Sequence, residues 1–293
     1  MASPTIVGSL TTIPKRISKI EPTLLSLLSQ ERKLDKVYLT LGKDKFENTA
    51  LPTFLSKYKN VEIVWVDDVG PMTKILGGIL REINPETKII TFDDDIIYPE
   101  DSVLKLEQAS NKNPKSAIGF AGFRIGKFPF YLSNVSNYDG APKTQFYNFL
   151  PKPEGSKSDI LAGYSAILYK RGFFPSNEKL YLLTNLTKDK NLRRNDDVAL
   201  SAWLSSQNVD RLIIPGTEIL RRQESYENNL SGNGWEFFKT ITGAIRESEK
   251  RGLLKNRESF CWYQTATGVP VLIILFLIFA LILLFLKFIY FRK

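Results

Sequence analysis

The sequence contains no histidine. That absence removes His-ligated zinc sites, Ser-His-Asp and Cys-His nucleophiles and imidazole acid–base chemistry together, so any catalysis has to run on carboxylates, Lys, Tyr or a metal. Cysteine is nearly absent too: Cys261 stands alone, which excludes an intramolecular disulfide and agrees with a reducing compartment. No GxxxxGK[ST] run occurs, so a phosphate-cradling loop of that type is missing. The stretch MASPTIVGSLTTIPKR lacks the basic region, apolar core and small-residue cleavage site of a secretory signal.

What is present is an ordinary globular composition, 293 residues with 43% hydrophobic and 24% charged, enough for one large α/β domain or two small ones. The net charge of +9 favours an anionic substrate or an anionic membrane surface. The basic residues are dispersed and accompany no recognition motif, so no nucleic-acid partner is expected. One apolar run stands apart: Val269 to Leu286 is broken only by Pro270 near its start, and interfacial aromatics and basic residues follow. It reads as a transmembrane helix over 269–291, behind a catalytic domain of 1–258 and a juxtamembrane linker of 259–268. With a span at this end and no signal, the expectation is a C-terminal anchor with the domain facing the cytosol and no glycan on the sequons at Asn134, Asn185 and Asn229.

Strand-like and helix-like segments alternate through the first half. Thr5 to Leu10, Lys36 to Leu41, Val61 to Val66 and the apolar run before Asp93 read as strands, and Pro22 to Gln30, Leu51 to Tyr58 and Met72 to Ile83 as helices between them. That rhythm argues for a parallel sheet with crossover helices, whose ligands bind beyond the carboxyl ends of the strands. Ser102 to Ser110 follows as a helix, then strand-like SAIGFAG, ILAGYSAILY and LIIP, with helices over Val198 to Ser206 and Trp235 to Leu254.

The chemistry concentrates in KIITFDDDIIYPE, Lys88 to Glu100. Three adjacent carboxylates repel and are costly to desolvate, so the triplet makes most sense with a cation between them, as hard divalent ions on oxygen ligands do; an acidic turn capping the next helix is the plainer alternative. Strand alternation would put Asp93 and Asp95 on one face and Asp94 on the other. A second acidic pair, Asp196-Asp197 after Arg193-Arg194, opens a helix, where carboxylates are also ordinary first-turn residues. Lys74 stands in a first helical turn, poorly placed for the helix dipole, which suggests an anionic partner or else a solvated surface lysine.

Strand followed by Asp-x-Asp, as FDDDIIYP, resembles the metal and nucleotide-sugar motif of GT-A glycosyltransferases. SLTTIPKRI, SLLSQ, VDDVGPMTKIL and FDDDIIYP in that order resemble the nucleotide-binding half of such enzymes, of the type found in capsid glycosyltransferases of large algal viruses and their cellular relatives. The resemblance implies an α/β GT-A fold and sugar transfer from a nucleotide-sugar donor to a glycan or other hydroxyl acceptor, by inversion. It places Thr12 and Arg16 near the base or ribose, Asp68 on the base or ribose, and Lys74, Asp93 and Asp94 beside the nucleotide. Mn²⁺ or Mg²⁺ would rest on Asp95 and Asp93, since the histidine ligand common in the late region of these enzymes is missing. The GYSAILYKRGFF segment resembles their acceptor-side strand, with Gly163 admitting substrate to the backbone; a simple strand bulge is the alternative. Asp197, or alternatively Asp196, is implied as the base, with Arg193 or Arg194 neutralising phosphate. The rivals are a Mg²⁺-dependent nucleotidyl or phosphoryl transferase and a membrane-tethered, non-catalytic binding protein.

Overall fold

The computed structural model describes residues 5–125, 132–136, 156–174, 186–216, 221–222, 234–254 and 278–279. Apart from 278–279, the expected span at 269–291 lies outside them, as do Asn185 and Asn229. Among the described residues no helix is long and apolar enough to cross a membrane.

The fold is α/β with a mostly parallel central sheet. Strands β1 (Ile6–Thr11), β2 (Lys36–Gly42), β3 (Val61–Val66), β4 (Lys88–Phe92), β5 (Ile96–Ile97), β6 (Ser116–Gly119), β7 (Ala121–Ile125), β8 (Leu132–Ser136), β9 (Ser156–Lys157), β10 (Ile160–Leu161), β11 (Ile167–Lys170), β12 (Asp210–Ile213) and β13 (Arg221–Arg222) follow one another along the chain. The large sheet runs β3-β2-β1-β4-β11-β6-β12-β9. Its first four strands are mutually parallel, and β11 lies antiparallel between β4 and β6. β7 pairs with β8 and β10 in a small second sheet, and β13 pairs with β5.

Helices cover both faces: α1 (Glu21–Leu28), α2 (Lys43–Phe46), α3 (Thr73–Arg81), α4 (Ser102–Lys112), α5 (Lys190–Arg194), α6 (Asp196–Ser206) and α7 (Gly234–Lys250). Period-two alternation divides the strands between two cores. Val7, Tyr38, Ile89, Ile167 and Tyr169 pack with Met72, Ile75 and Ile79 of the α3 segment and with residues of α6 and α7. Ile6, Leu10, Leu39, Ile90, Phe92 and Leu168 face Leu24 and Leu27 of α1 and Val103 and Leu106 of α4. α3 lies flat on the sheet because Gly77 has no side chain: a Cβ there would come within 2.4 Å of the Thr40 hydroxyl oxygen. That close seat fixes the height of Lys74, one turn earlier.

Several elements differ from the sequence expectation. SAIGFAG is not one strand; it breaks at Phe120 into β6 and β7, which belong to different sheets. ILAGYSAILY breaks into β10, a 3-10 turn over Gly163–Ser165, and β11. Leu51 to Tyr58 holds a 3-10 turn over Thr53–Lys57 instead of an α-helix, too short a segment between Pro52 and Asn60 to pack as one. β4 stops at Phe92, so Asp93 to Asp95 form a turn and strand alternation does not govern them.

Candidate active site

The carboxyl ends of β1, β3 and β4 bring together the TTIPKR loop, the DDVG loop and the acidic turn. In that turn Asp94 is committed inward. Thr12 donates its hydroxyl to Asp94 Oδ2 at 2.6 Å, Arg16 Nη1 reaches Oδ1 at 2.9 Å, and the Thr23 hydroxyl donates to the Asp94 carbonyl at 3.0 Å. Burial pushes the Asp94 carboxyl up, against the pull of the Thr12 bond and the Arg16 charge. In this structure Thr12, Arg16 and Asp94 therefore pin the β1 loop and α1 to the acidic turn. Tyr98 closes the turn from below: its hydroxyl accepts the Asp93 N–H at 2.8 Å and donates to the Tyr164 carbonyl at 3.3 Å. Sequence reasoning passed over Tyr98, and only its position five residues after Asp93, within FDDDIIYP, hinted at it.

Lys74 sits where the two acidic motifs meet. Its ammonium lies 2.7 Å from Asp93 Oδ1 and 2.8 Å from Asp196 Oδ2, and its side chain is 6% exposed. The surface-lysine alternative is thereby excluded, and the anionic partner inferred from the helix dipole turns out to be the protein's own carboxylates. Burial works against the Lys74 charge, but Asp196, Asp93 and Asp197 outweigh it and hold the ammonium protonated well above the ordinary lysine range. The Ser9 hydroxyl donates to the Lys74 carbonyl, tying the first turn of α3 to β1.

Asp197 is the partly exposed member of the second pair. Its Oδ1 accepts the Gly163 N–H at 2.8 Å. Burial first, and the neighbouring Asp196 charge second, push its carboxyl up to about 8, although Lys74 and the Gly163 N–H pull the other way. Asp196 and Asp197 thus do more than cap α6: each bonds a group from another segment. A Cβ on Gly163 would lie 2.7 Å from Asp197 Oδ1 and 2.8 Å from Lys74 Nζ. Here the bare backbone admits two side chains of the site, which explains the glycine more directly than a strand bulge. Gly163→Ala is expected to displace both groups, lowering turnover about a hundredfold and, because the Lys74 ion pairs are disturbed, lowering the melting temperature as well; steady-state kinetics beside a thermal melt checks it.

Asp68 is held by Arg193, whose Nη2 donates to the Asp68 carbonyl and to Oδ2, both at 2.8 Å. Asp68 Oδ1 also accepts the Gly70 N–H at 3.2 Å. The DDVG loop and the approach to α6 are therefore one unit, and Arg193 is 39% exposed at its edge. Asp95, within the turn, is buried.

Among the described residues no three acidic or cysteine side chains gather into a ready metal site. Asp94 is spent on Arg16 and Thr12, and one Asp93 oxygen is spent on Lys74. The Asp93 carboxylate is 28% exposed and its second oxygen makes no bond among the described residues. This donor set fits a divalent ion that brings oxygen ligands of its own, as a diphosphate does, and not a resident ion held by protein alone.

No family model and no curated protein matches the chain. Among solved structures, it is similar to a 4-diphosphocytidyl-2C-methyl-D-erythritol synthase from Anaerococcus prevotii at 14% identity and a TM-score of 0.48, over 84% of this chain and 96% of that one. A 2-C-methyl-D-erythritol 4-phosphate cytidylyltransferase from Francisella tularensis is similar at 9% identity and a TM-score of 0.46, over 80% of this chain and 100% of the other. Likeness this distant carries no argument about function, which has to rest on the site.

Proposed function

We propose that the chain is a GT-A-type glycosyltransferase that moves a sugar from a nucleotide-sugar donor to an acceptor hydroxyl. The observation that carries this reading is Asp197: a partly exposed carboxylate raised to about 8, beside an ammonium, at the ligand-binding end of the sheet. The strand order with β11 antiparallel between β4 and β6 supports the GT-A part. In the reaction the acceptor oxygen attacks the anomeric carbon and the bond from that carbon to the diphosphate oxygen breaks. The nucleoside diphosphate leaves with the electron pair, and Asp197 takes the hydroxyl proton. A carboxylate with a raised proton affinity is a stronger base than an ordinary one, and Asp196, ion-paired to Lys74, is the weaker candidate. Asp68 is the group assigned to the base or ribose, and Lys74 lies within reach of the diphosphate. Mn²⁺ or Mg²⁺ brought by the donor would be held by Asp93 and Asp95 and would supply charge neutralisation of the leaving diphosphate.

Nucleotidyl transfer is the rival chemistry on the same fold. A phosphate nucleophile is already anionic and needs no base, so that reading leaves Asp197 unexplained. The two are separated by what is released. The full-length chain incubated with a nucleotide-sugar panel is expected to liberate nucleoside diphosphate, and with nucleoside triphosphates plus sugar phosphates to liberate no pyrophosphate. Pyrophosphate release would favour the rival, and donor binding without turnover would favour a non-catalytic binding protein tethered through 269–291.

A further inference from the structure

We propose that Lys74 keeps the acidic site closed to divalent ions in the donor-free protein: its ammonium holds the position that an ion bound by Asp93 and Asp196 would take. The inference deepens the reading just given and rests on it for the site's purpose, though not for the measurement. Lys74 Nζ touches carboxylate oxygens from both acidic motifs, at 2.7 Å and 2.8 Å, and two cations do not share that space. The fold places the ammonium there. The Ser9 hydroxyl and the close seat of Gly77 fix α3 on the sheet, and Gly163 leaves open the volume into which the side chain extends. Asp94 offers no substitute ligand because Arg16 and Thr12 occupy both its oxygens. Removing the Lys74 charge leaves Asp93 Oδ1 and Asp196 Oδ2, which now share one cation, as two carboxylate oxygens open to a divalent ion that completes its shell with water. In the wild type, an ion enters only with a ligand that draws the ammonium away from Asp93. The chemical class that does so is an anionic diphosphate.

The test titrates Mn²⁺ alone into the full-length chain, with free Mn²⁺ read by electron paramagnetic resonance and no nucleotide present. Lys74→Met is expected to bind Mn²⁺ at least about tenfold more tightly than the wild type, and Lys74→Met/Asp196→Asn to lose that gain. Mn²⁺ is also expected to raise the melting temperature of Lys74→Met and not that of the wild type. A wild type that binds Mn²⁺ as tightly as Lys74→Met, or a variant that gains nothing, overturns the inference. Should Lys74→Met fail to fold, the wild type decides alone: tight binding of Mn²⁺ without nucleotide overturns the inference, and none at millimolar concentration supports it. Because neither donor nor acceptor takes part, sugar transfer by a wild type that binds Mn²⁺ alone sinks only this inference. A Lys74→Met chain that gains Mn²⁺ while the wild type transfers nothing sinks only the proposed function.

Discussion

Replacing Asp197 by Asn is expected to lower turnover about a thousandfold while the protein stays folded. Asn keeps the side-chain oxygen that accepts the Gly163 N–H, so the 3-10 turn above it has no reason to move. What it removes is the group that takes the acceptor proton. The pH profile carries the same signature. Only the deprotonated carboxylate accepts a proton, and Asp197 sits at about 8, so wild-type kcat/KM rises with pH through that value. The groups facing it are Asp196 beside it, Lys74 and Asp93 across the site, and the buried Tyr169 phenol; Lys74 is held charged and burial holds the Tyr169 phenol neutral through that range. Linkage supplies an independent check. The native carboxyl binds its proton more tightly than the unfolded chain does, whose ordinary value is about 4. Its contribution to stability is therefore present at low pH and lost as pH rises from about 4 to about 8. Asp197→Asn lacks that loss, so its melting temperature gains on the wild type as pH increases. A variant that keeps full turnover, or a wild-type profile flat from pH 6 to 9, would remove Asp197 from the chemistry.

The second large effect is on stability. Lys74→Met leaves Asp93 and Asp196 without the ammonium between them, in a site where Lys74 itself is 6% exposed. Breaking a buried pair by deleting one partner costs about 3–5 kcal/mol, because the surviving charge stays desolvated. For a domain of this size that corresponds to roughly 10 °C in melting temperature. The Lys74 proton affinity is raised in the folded state, so its stabilisation is fully present at neutral pH and fades only as pH climbs above the ordinary lysine range. The loss in Lys74→Met is thus expected to be uniform between pH 6 and 8 by circular dichroism melts. A change within about 2 °C would mean that the two carboxylates find other compensation.

Much of this arrangement was legible in the sequence. The alternation of apolar runs with helical periodicity gave the parallel half of the sheet, because β1, β2 and β4 are buried on both faces and all four strands are bounded by turn residues. Helix-dipole reasoning at Lys74 called for an anion, and the structure supplies Asp93 and Asp196. It could not say which anion, since Lys74 and Asp196 belong to segments far apart in the chain and no local pattern records their meeting. Thr12 and Arg16 were expected to face a nucleotide, whereas here both bond Asp94. A loop residue carries the same sequence signal whether it holds a ligand or a neighbouring turn. SAIGFAG misled because small apolar residues fit a continuous strand as well as two strands that part at Phe120. The role of Gly163 was half visible: the glycine implied close approach, but only the fold shows that Asp197 and Lys74 are what approach it.

The most direct measurement is a phosphorus NMR spectrum of the full-length wild type and of Asp197→Asn, each incubated with the same nucleotide-sugar panel and a mixture of hydroxyl acceptors. Glycosyl transfer at this site predicts the β-phosphorus resonance of free nucleoside diphosphate in the wild-type sample, with none above background in the variant. A pyrophosphate resonance, or nucleoside diphosphate appearing equally in both samples, would contradict it.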